Sequence, residues 1–136
     1  MRVAKHLPDN YLSEIANLID TVLKIDFYVD EEYEDDLFNL LDENEVLKKK
    51  FKRVIYLVRI GKTTQDTYRS VAFSRRTKDV YEMKVKNYRF LCKEIRRSGE
   101  KRIVTITHIQ KDTKKMRTTT RALVTRIGGY DYEFEK

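Results

Sequence analysis

The side chains with the clearest chemical capacity are cations spread over three predicted strands. Lys84 and Lys86 fall on the first strand, Arg89 and Lys93 fall on the second, and Lys111 follows the third. Cations of this kind suit a phosphodiester, because its pentavalent transition state accumulates negative charge. Metal-free cleavage of RNA also needs proton transfer at the 2′-OH and at the leaving oxygen, which Lys, Arg, Tyr or His can supply. If the strands pair, they could therefore gather a cationic cleft suited to RNA.

Two residues in this region stand out from the surface lysines. Arg89 lies between Tyr88 and Phe90, and its planar guanidinium suits bidentate contact with a phosphate. His108 lies on the third strand, where simple alternation would point it with Val104 and Ile106. That position favours a half-buried structural histidine over a catalytic one, and His108 remains the candidate acid or base. Each lysine taken singly is better explained as a solvated surface residue.

The net charge of +7 on these 136 residues hides a strong asymmetry. Residues 1–45 hold thirteen acidic and three basic side chains, and the acids concentrate in 26–45. Residues 46–136 hold nine acidic and twenty-six basic side chains. A body this basic is typical of nucleic-acid binders, which gain affinity by neutralising phosphates. A basic surface that only keeps the protein in solution remains the alternative.

Several function classes are disfavoured by what the chain contains. The single cysteine, Cys92, excludes an intramolecular disulfide, and with only two histidines a dedicated metal cage is not expected. No nucleotide-binding glycine loop is present, so we expect no cofactor. The longest stretch without charge is eight residues, at 103–110, far short of a membrane span. The N-terminus carries no secretory signal, so the expectation is a soluble cytoplasmic protein without a membrane partner.

Hydrophobic spacing predicts helices in the N-terminal half and a meander in the C-terminal half. A helix at 11–23 precedes a strand at 24–29. Helices are then predicted at 31–42 and from Asn44 to Gly61, while 62–77 is ambiguous. The later elements are three strands, a helix and a tail that could add an edge strand, at 79–86, 88–95, 102–110, 112–127 and 130–136. Short turns between the three strands predict an antiparallel meander.

The order of these elements and their motifs resembles a known family. The run "DVYEMKVKNYRFLCKEI", then "RIVTITHIQKDTKK", then a helix with Arg121-Ala122, resembles the RelE/HigB-like toxins of bacterial type II toxin–antitoxin pairs, in particular the phage-derived HigB branch. The likeness covers 79–127 well and the helices at 31–61 more loosely. It implies an α+β fold with helices packed on one small antiparallel sheet. Residues 24–136 would form the toxin domain and 1–23 an added N-terminal helical extension.

The resemblance also implies an activity, partners and site residues. These toxins are metal-free endoribonucleases that cleave mRNA, commonly on the translating ribosome, and an antitoxin neutralises them by wrapping around them. By matching positions, Arg89, Lys84 and Lys111 would hold phosphate and offset charge in the transition state. With these three and His108 as the candidate catalytic set, the candidate RNA-binding residues are Lys86, Lys93, Arg102, Lys114 and Lys115.

Two departures from the family pattern keep other functions open. Asp112 stands where the pattern has a base, and threonines at 118–120 stand where a catalytic tyrosine could lie. A non-catalytic nucleic-acid-binding or regulatory protein on the same scaffold is the first alternative. A protein-interaction module whose contact surface is 1–45 is the second.

Overall fold

The fold is one seven-stranded sheet with helices on both of its faces. The computed structural model describes residues 1–12, 24–110 and 116–135. The strands are β1 (Arg2–His6), β2 (Lys24–Asp30), β3 (Tyr68–Ser70), β4 (Val80–Val85), β5 (Tyr88–Arg97), β6 (Glu100–Gln110) and β7 (Tyr132–Phe134). The helices are α1 (Glu34–Asp42), α2 (Glu45–Arg59) and α3 (Met116–Gly128). None of the helices in these ranges is long and apolar enough to cross a membrane.

The predicted meander is confirmed as the antiparallel run β4–β5–β6. Its first turn is Lys86–Asn87, where Lys86 adopts a φ of 57°. Its second turn contains Gly99, with a φ of 75°. A positive φ at the first position of a two-residue turn matches the twist of the paired strands, and Lys86 takes that position. Gly99 takes the second position of its turn, where glycine adopts a positive φ without steric cost. The short strand β3, which falls in the ambiguous segment, extends the meander by pairing with β4.

The prediction of one small antiparallel sheet is wrong, although the α+β class is confirmed. The strand order is β3-β4-β5-β6-β2-β1-β7, and the sheet is mixed. β2 runs parallel to β6, and β7 runs parallel to β1. Parallel neighbours need a long crossover, which here includes both α1 and α2. Pairings between strands so far apart in sequence leave no local pattern, so hydrophobic spacing could not specify them.

Residues Arg2–His6 at the N-terminus form a strand of the sheet. Strand β1 lies between β2 and β7. The buried carboxylate of Asp30, at the end of β2, accepts hydrogen bonds from Arg2 Nε at 2.7 Å and from the Tyr132 hydroxyl at 2.5 Å. One side chain thus ties three strands together. The predicted helix at 11–23 lies outside the described residues apart from Tyr11 and Leu12, which belong to a 3₁₀ turn and the residue after it.

The predicted helices at 31–42 and from Asn44 are confirmed, with a 3₁₀ turn at Glu31–Tyr33 preceding α1. The Asn44 side chain accepts the backbone N–H of Leu47 at 3.0 Å and so caps α2. Gly61, at a φ of 71°, follows its C-terminus. The apolar face of α2 is buried against the sheet through Leu47, Phe51, Val54, Ile55 and Val58.

The two faces of the sheet bury separate apolar clusters. The first cluster joins α1 and α2 to the sheet and contains Phe51 and Phe90, whose rings pack edge to face. The second joins α3 to the sheet and contains Val104, Ile106 and Ile127. We call the face covered by the helical hairpin of α1 and α2 the hairpin face, and the face covered by α3 the α3 face. Because β5 and β6 are covered on both sides, nearly every side chain in the middle of these strands is enclosed.

A β-bulge in β6 changes which side chains share a face. Phe90 lies opposite His108, whereas Cys92 lies opposite Thr105, so the bulged strand carries one extra residue between them. An extra residue inverts the alternation beyond it. Ile106 therefore packs on the α3 face, while His108 contacts the rings of Tyr88 and Phe90 on the hairpin face. The expectation that His108 points with Val104 and Ile106 is wrong for this reason.

We expect Gly128→Ala to destabilise the protein by about 1–3 kcal/mol, the usual effect of overpacking. A Cβ there would lie 2.3 Å from the carbonyl oxygen of Arg76, in the 3₁₀ turn that packs against the end of α3. Gly129→Ala is the matched control, because its Cβ would meet the Arg126 carbonyl oxygen at an ordinary 3.5 Å. Urea denaturation of the two variants measures the difference. Equal stability would contradict a close approach at Gly128.

Candidate nucleic-acid interface

Three of the candidate cations gather at the turn between β4 and β5. Lys84 lies directly opposite Arg89 in the strand register. Lys86 is exposed in the turn itself. Like charges directly opposite one another on paired strands destabilise a sheet. An arrangement that places two cations together at a strand end is therefore better explained by an anion that binds there than by stability.

Arg89 is the unusual member of this group because it is a largely buried residue. The residue is only 8% exposed. Its Nη1 donates to the carbonyl oxygens of Tyr88 at 3.2 Å and Lys86 at 3.5 Å. Within 1–12, 24–110 and 116–135, no carboxylate lies within ion-pair distance of it. Buried charges are normally paired with an opposite charge, whereas the acceptors of Arg89 in the described ranges are carbonyl oxygens alone.

His108 lies at the same end of the sheet but on the opposite face. It sits across from Phe90, the neighbour of Arg89 in the chain. Its Nδ1 is 2.5 Å from the hydroxyl oxygen of Tyr33, the last residue of the 3₁₀ turn before α1. Burial lowers the pKa of His108 below its ordinary value, and the nearby carboxylate of Asp36 partly offsets this. Tyr33 stays protonated because burial raises its pKa.

This pair has the properties of a proton-transfer group. A histidine with a lowered pKa is neutral near pH 7, the state that a general base requires. The contact with Tyr33 leaves Nε2 outside that hydrogen bond and fixes the orientation of the ring. Sequence reasoning missed Tyr33 because it lies in an acidic segment 75 residues before His108. No local pattern could have linked the two.

Two candidate RNA-binding residues have partners within the protein. Lys93 Nζ donates to the carbonyl oxygens of Gly128 at 3.1 Å and Tyr130 at 2.5 Å, so it caps the C-terminal end of α3. Burial lowers the pKa of Lys93. Arg102 pairs with Glu100 at 2.9 Å, and its guanidinium carbon lies 4.5 Å from the centre of the Phe134 ring. Neither side chain belongs to the group at the β4–β5 turn.

The remaining candidates, Lys111, Lys114 and Lys115, lie outside the described residues. Gln110, the last residue of β6, pairs with Tyr88. The chain therefore leaves the sheet at the same end at which Arg89 and Lys84 are found.

Two further features bear on the chemistry available. Burial raises the pKa of the Cys92 thiol to about 12, so this cysteine is not an activated nucleophile. In the part of the chain that the structure describes, no three His, Cys, Asp or Glu side chains lie close enough to hold a metal ion. The proton-transfer and charged groups described at the β4–β5 end of the sheet include Tyr33, Asp36, His108, Lys84, Lys86 and Arg89.

The acidic segment is partly neutralised by β1. Lys5 Nζ lies 3.7 Å from a Glu31 carboxylate oxygen and 3.6 Å from one of Glu34. Arg2 pairs with Asp30 and also with Glu32. Four acids at the end of β2, in the 3₁₀ turn and at the start of α1 are therefore paired with cations of β1.

We expect the pKa of His108 to lie below its ordinary value and Asp36→Asn to lower it further, because the substitution removes the charge that stabilises the imidazolium. Asp35→Asn, in the same helical turn, is the matched control. NMR titration of the imidazole measures both. Since the unfolded chain takes up this proton first, the contribution of His108 makes the fold less stable as pH falls through about 6.5. A pKa above the ordinary value would contradict the burial of the ring.

No family model, no curated protein and no solved structure matches this chain. The likeness to the RelE/HigB-like toxins therefore rests on the motifs at 79–127 and on the order of the elements.

Proposed function

We propose that this protein binds RNA at the β4–β5 end of its sheet and cleaves it without a metal ion, as a toxin-type endoribonuclease. The observation that carries the proposal is the position of Arg89, a largely buried residue whose Nη1 donates to two carbonyl oxygens and which lies opposite Lys84. A fixed arginine beside a second cation suits the non-bridging oxygens of a phosphodiester, whose charge grows in the transition state.

The reaction would be an attack of the RNA on its own backbone. The 2′-oxygen forms a bond to phosphorus, the bond from phosphorus to the 5′-oxygen breaks, and a cyclic phosphate and a 5′-hydroxyl result. The base takes the proton from the 2′-OH, and an acid returns one to the 5′-oxygen. His108, neutral and oriented by Tyr33, is the candidate base, and Arg89 and Lys84 stabilise the charge on phosphorus.

The resemblance extends this proposal to the biological partners. A helical hairpin, a three-stranded meander and a following helix occur in the order that the RelE/HigB likeness implies. By that likeness, the substrate is mRNA on the translating ribosome and the inhibitor is a cognate antitoxin. Inhibition of translation would then follow from cleavage of the message, and the protein would act in the cytoplasm.

Non-catalytic RNA binding is the second candidate, and one observation favours it. The bulge in β6 places His108 on the hairpin face. Arg89 points to the α3 face, as Leu91 does two residues later in β5. A phosphate on Arg89 would have to extend around the end of the sheet to reach the imidazole. A protein that binds RNA through Arg89 alone would have no such requirement.

We expect Arg89→Gln to reduce RNA cleavage by about 100-fold or more, the usual effect of removing one donor to transition-state charge. Arg96→Gln is the matched control, since it removes the same charge from the far end of β5, where the side chain is 65% exposed. Growth and mRNA integrity after induced expression in bacteria, with thermal melts of both purified variants, measure the effect. Intact mRNA with the folded wild type would overturn the nuclease.

His108→Ala separates the two candidate functions. If His108 is the base, this variant loses cleavage and retains RNA affinity, whereas Arg89→Gln weakens both. Tyr33→Phe should shift the pH at which cleavage becomes half-maximal, because this substitution removes the hydrogen-bond partner of the imidazole. If wild type and His108→Ala bind RNA equally and neither cleaves it, the non-catalytic candidate is correct.

A further inference from the structure

Phe73 is one of the few large hydrophobic side chains of the described residues that are exposed to solvent. Its exposed fraction is 45%. Among the described residues, only two other large hydrophobic side chains, Met1 and Val46, are at least as exposed. Phe73 lies in the loop that connects β3 to β4. A single exposed hydrophobic side chain is common on protein surfaces, so the case for a binding site depends on the groups around the ring.

The loop that carries Phe73 is held rigidly by one buried hydroxyl. Thr77 is fully buried, and its Oγ1 accepts the backbone N–H groups of Phe73 and Ser74, both at 3.0 Å. The same hydroxyl donates to the carbonyl oxygen of Ser74 at 3.1 Å. The adjoining 3₁₀ turn packs against the end of α3 at Gly128. Phe73 is therefore presented by a fixed backbone, which lowers the entropic cost of binding a ligand.

One arginine lies over this ring, and two more follow it in the chain. The guanidinium carbon of Arg121, on α3, lies 5.1 Å from the centre of the Phe73 ring. Arg75 and Arg76 follow in the chain and are exposed. Throughout the described ranges, no carboxylate lies within ion-pair distance of any of these three arginines. The patch thus offers an aromatic face together with uncompensated positive charge.

We propose that Phe73 is a stacking platform for a base of single-stranded RNA, with Arg75, Arg76 and Arg121 binding the adjacent phosphates. Aromatic rings combined with arginines bind single strands in this way, because every base has a π-face and every linkage a negative charge. An acidic peptide would satisfy the arginines and leave the ring exposed. The chemistry of the patch therefore favours nucleic acid.

The platform lies on the same face of the sheet as the cations at the β4–β5 turn. Val71 packs into the cluster of the α3 face beside Val80, the first residue of β4. Lys84 lies four residues after Val80 in β4, so the two side chains point to the same face of the sheet. At about 3.3 Å per residue this is roughly 13 Å, a span that a few nucleotides cover. The inference rests on the RNA binding proposed above and not on cleavage.

A tryptophan at position 73 tests the stacking directly. The chain has no tryptophan, so Phe73→Trp introduces a single tryptophan fluorophore at the platform. A short single-stranded oligoadenylate should quench it, and an abasic phosphodiester chain of the same length should not. Equal quenching by the two chains, or quenching by neither, would overturn the platform. Quenching by polyglutamate but not by oligoadenylate would identify the patch as a peptide-binding surface.

Affinity measurements then separate the platform from the cations. We expect Phe73→Ala to weaken oligoadenylate binding about fivefold to a hundredfold without changing the slope of log Kd against log salt concentration. Arg75→Gln should lower the magnitude of that slope by about one. Val46→Ala, an exposed apolar residue on α2, is the control and should change neither quantity.

The outcomes distinguish this inference from the proposed function. If the wild type binds no RNA, both are wrong. If it binds RNA and Phe73→Ala binds equally well, only the platform is wrong. If Phe73→Trp is quenched while no RNA is cleaved, the platform is correct and the nuclease is not.

Discussion

The burial of β5 on both faces is the constraint on which the rest of the structure depends. Inside a strand covered by helices on both sides, each polar side chain needs a partner. Glu94 accepts a hydrogen bond from the Tyr68 hydroxyl, and Lys93 donates to the carbonyl oxygen of Gly128. Among the described residues, the acceptors of Arg89 are likewise carbonyl oxygens. The two cations differ in position, because Lys93 caps the end of α3 whereas Arg89 lies opposite Lys84 at the β4–β5 turn.

The bulge in β6 divides the β4–β5 end of the sheet into two chemical halves. It leaves Arg89 on one face and turns His108 toward Tyr33 on the other. Bulges commonly re-aim a side chain beside an active site. Here the result is a histidine whose protonation depends on the groups of the hairpin face, while Arg89 and Lys84 lie on the α3 face. Any substrate that used both groups would have to bind across the end of the sheet.

The acidic side chains of residues 1–45 and the basic side chains of residues 46–136 differ in how they are paired within the fold. Many of the N-terminal acids are paired within the protein, through Arg2 and Lys5 of β1. By contrast, several cations of the α3 face, among them Lys84, Arg75 and Arg121, have no acidic partner in the described ranges. This difference leaves positive charge concentrated along one surface, as a protein that binds phosphates requires.

Local patterns in the sequence determined the elements whose stability is local. The helical spacing of α2 and the short turns of the β4–β5–β6 meander were predictable because each depends on residues close in the chain. Tertiary structure alone decided the parallel pairing of β2 with β6, the place of Arg2–His6 in the sheet and the face that His108 occupies. The physical reason is that strand register depends on contacts between distant segments, and one extra residue inverts every side chain beyond it.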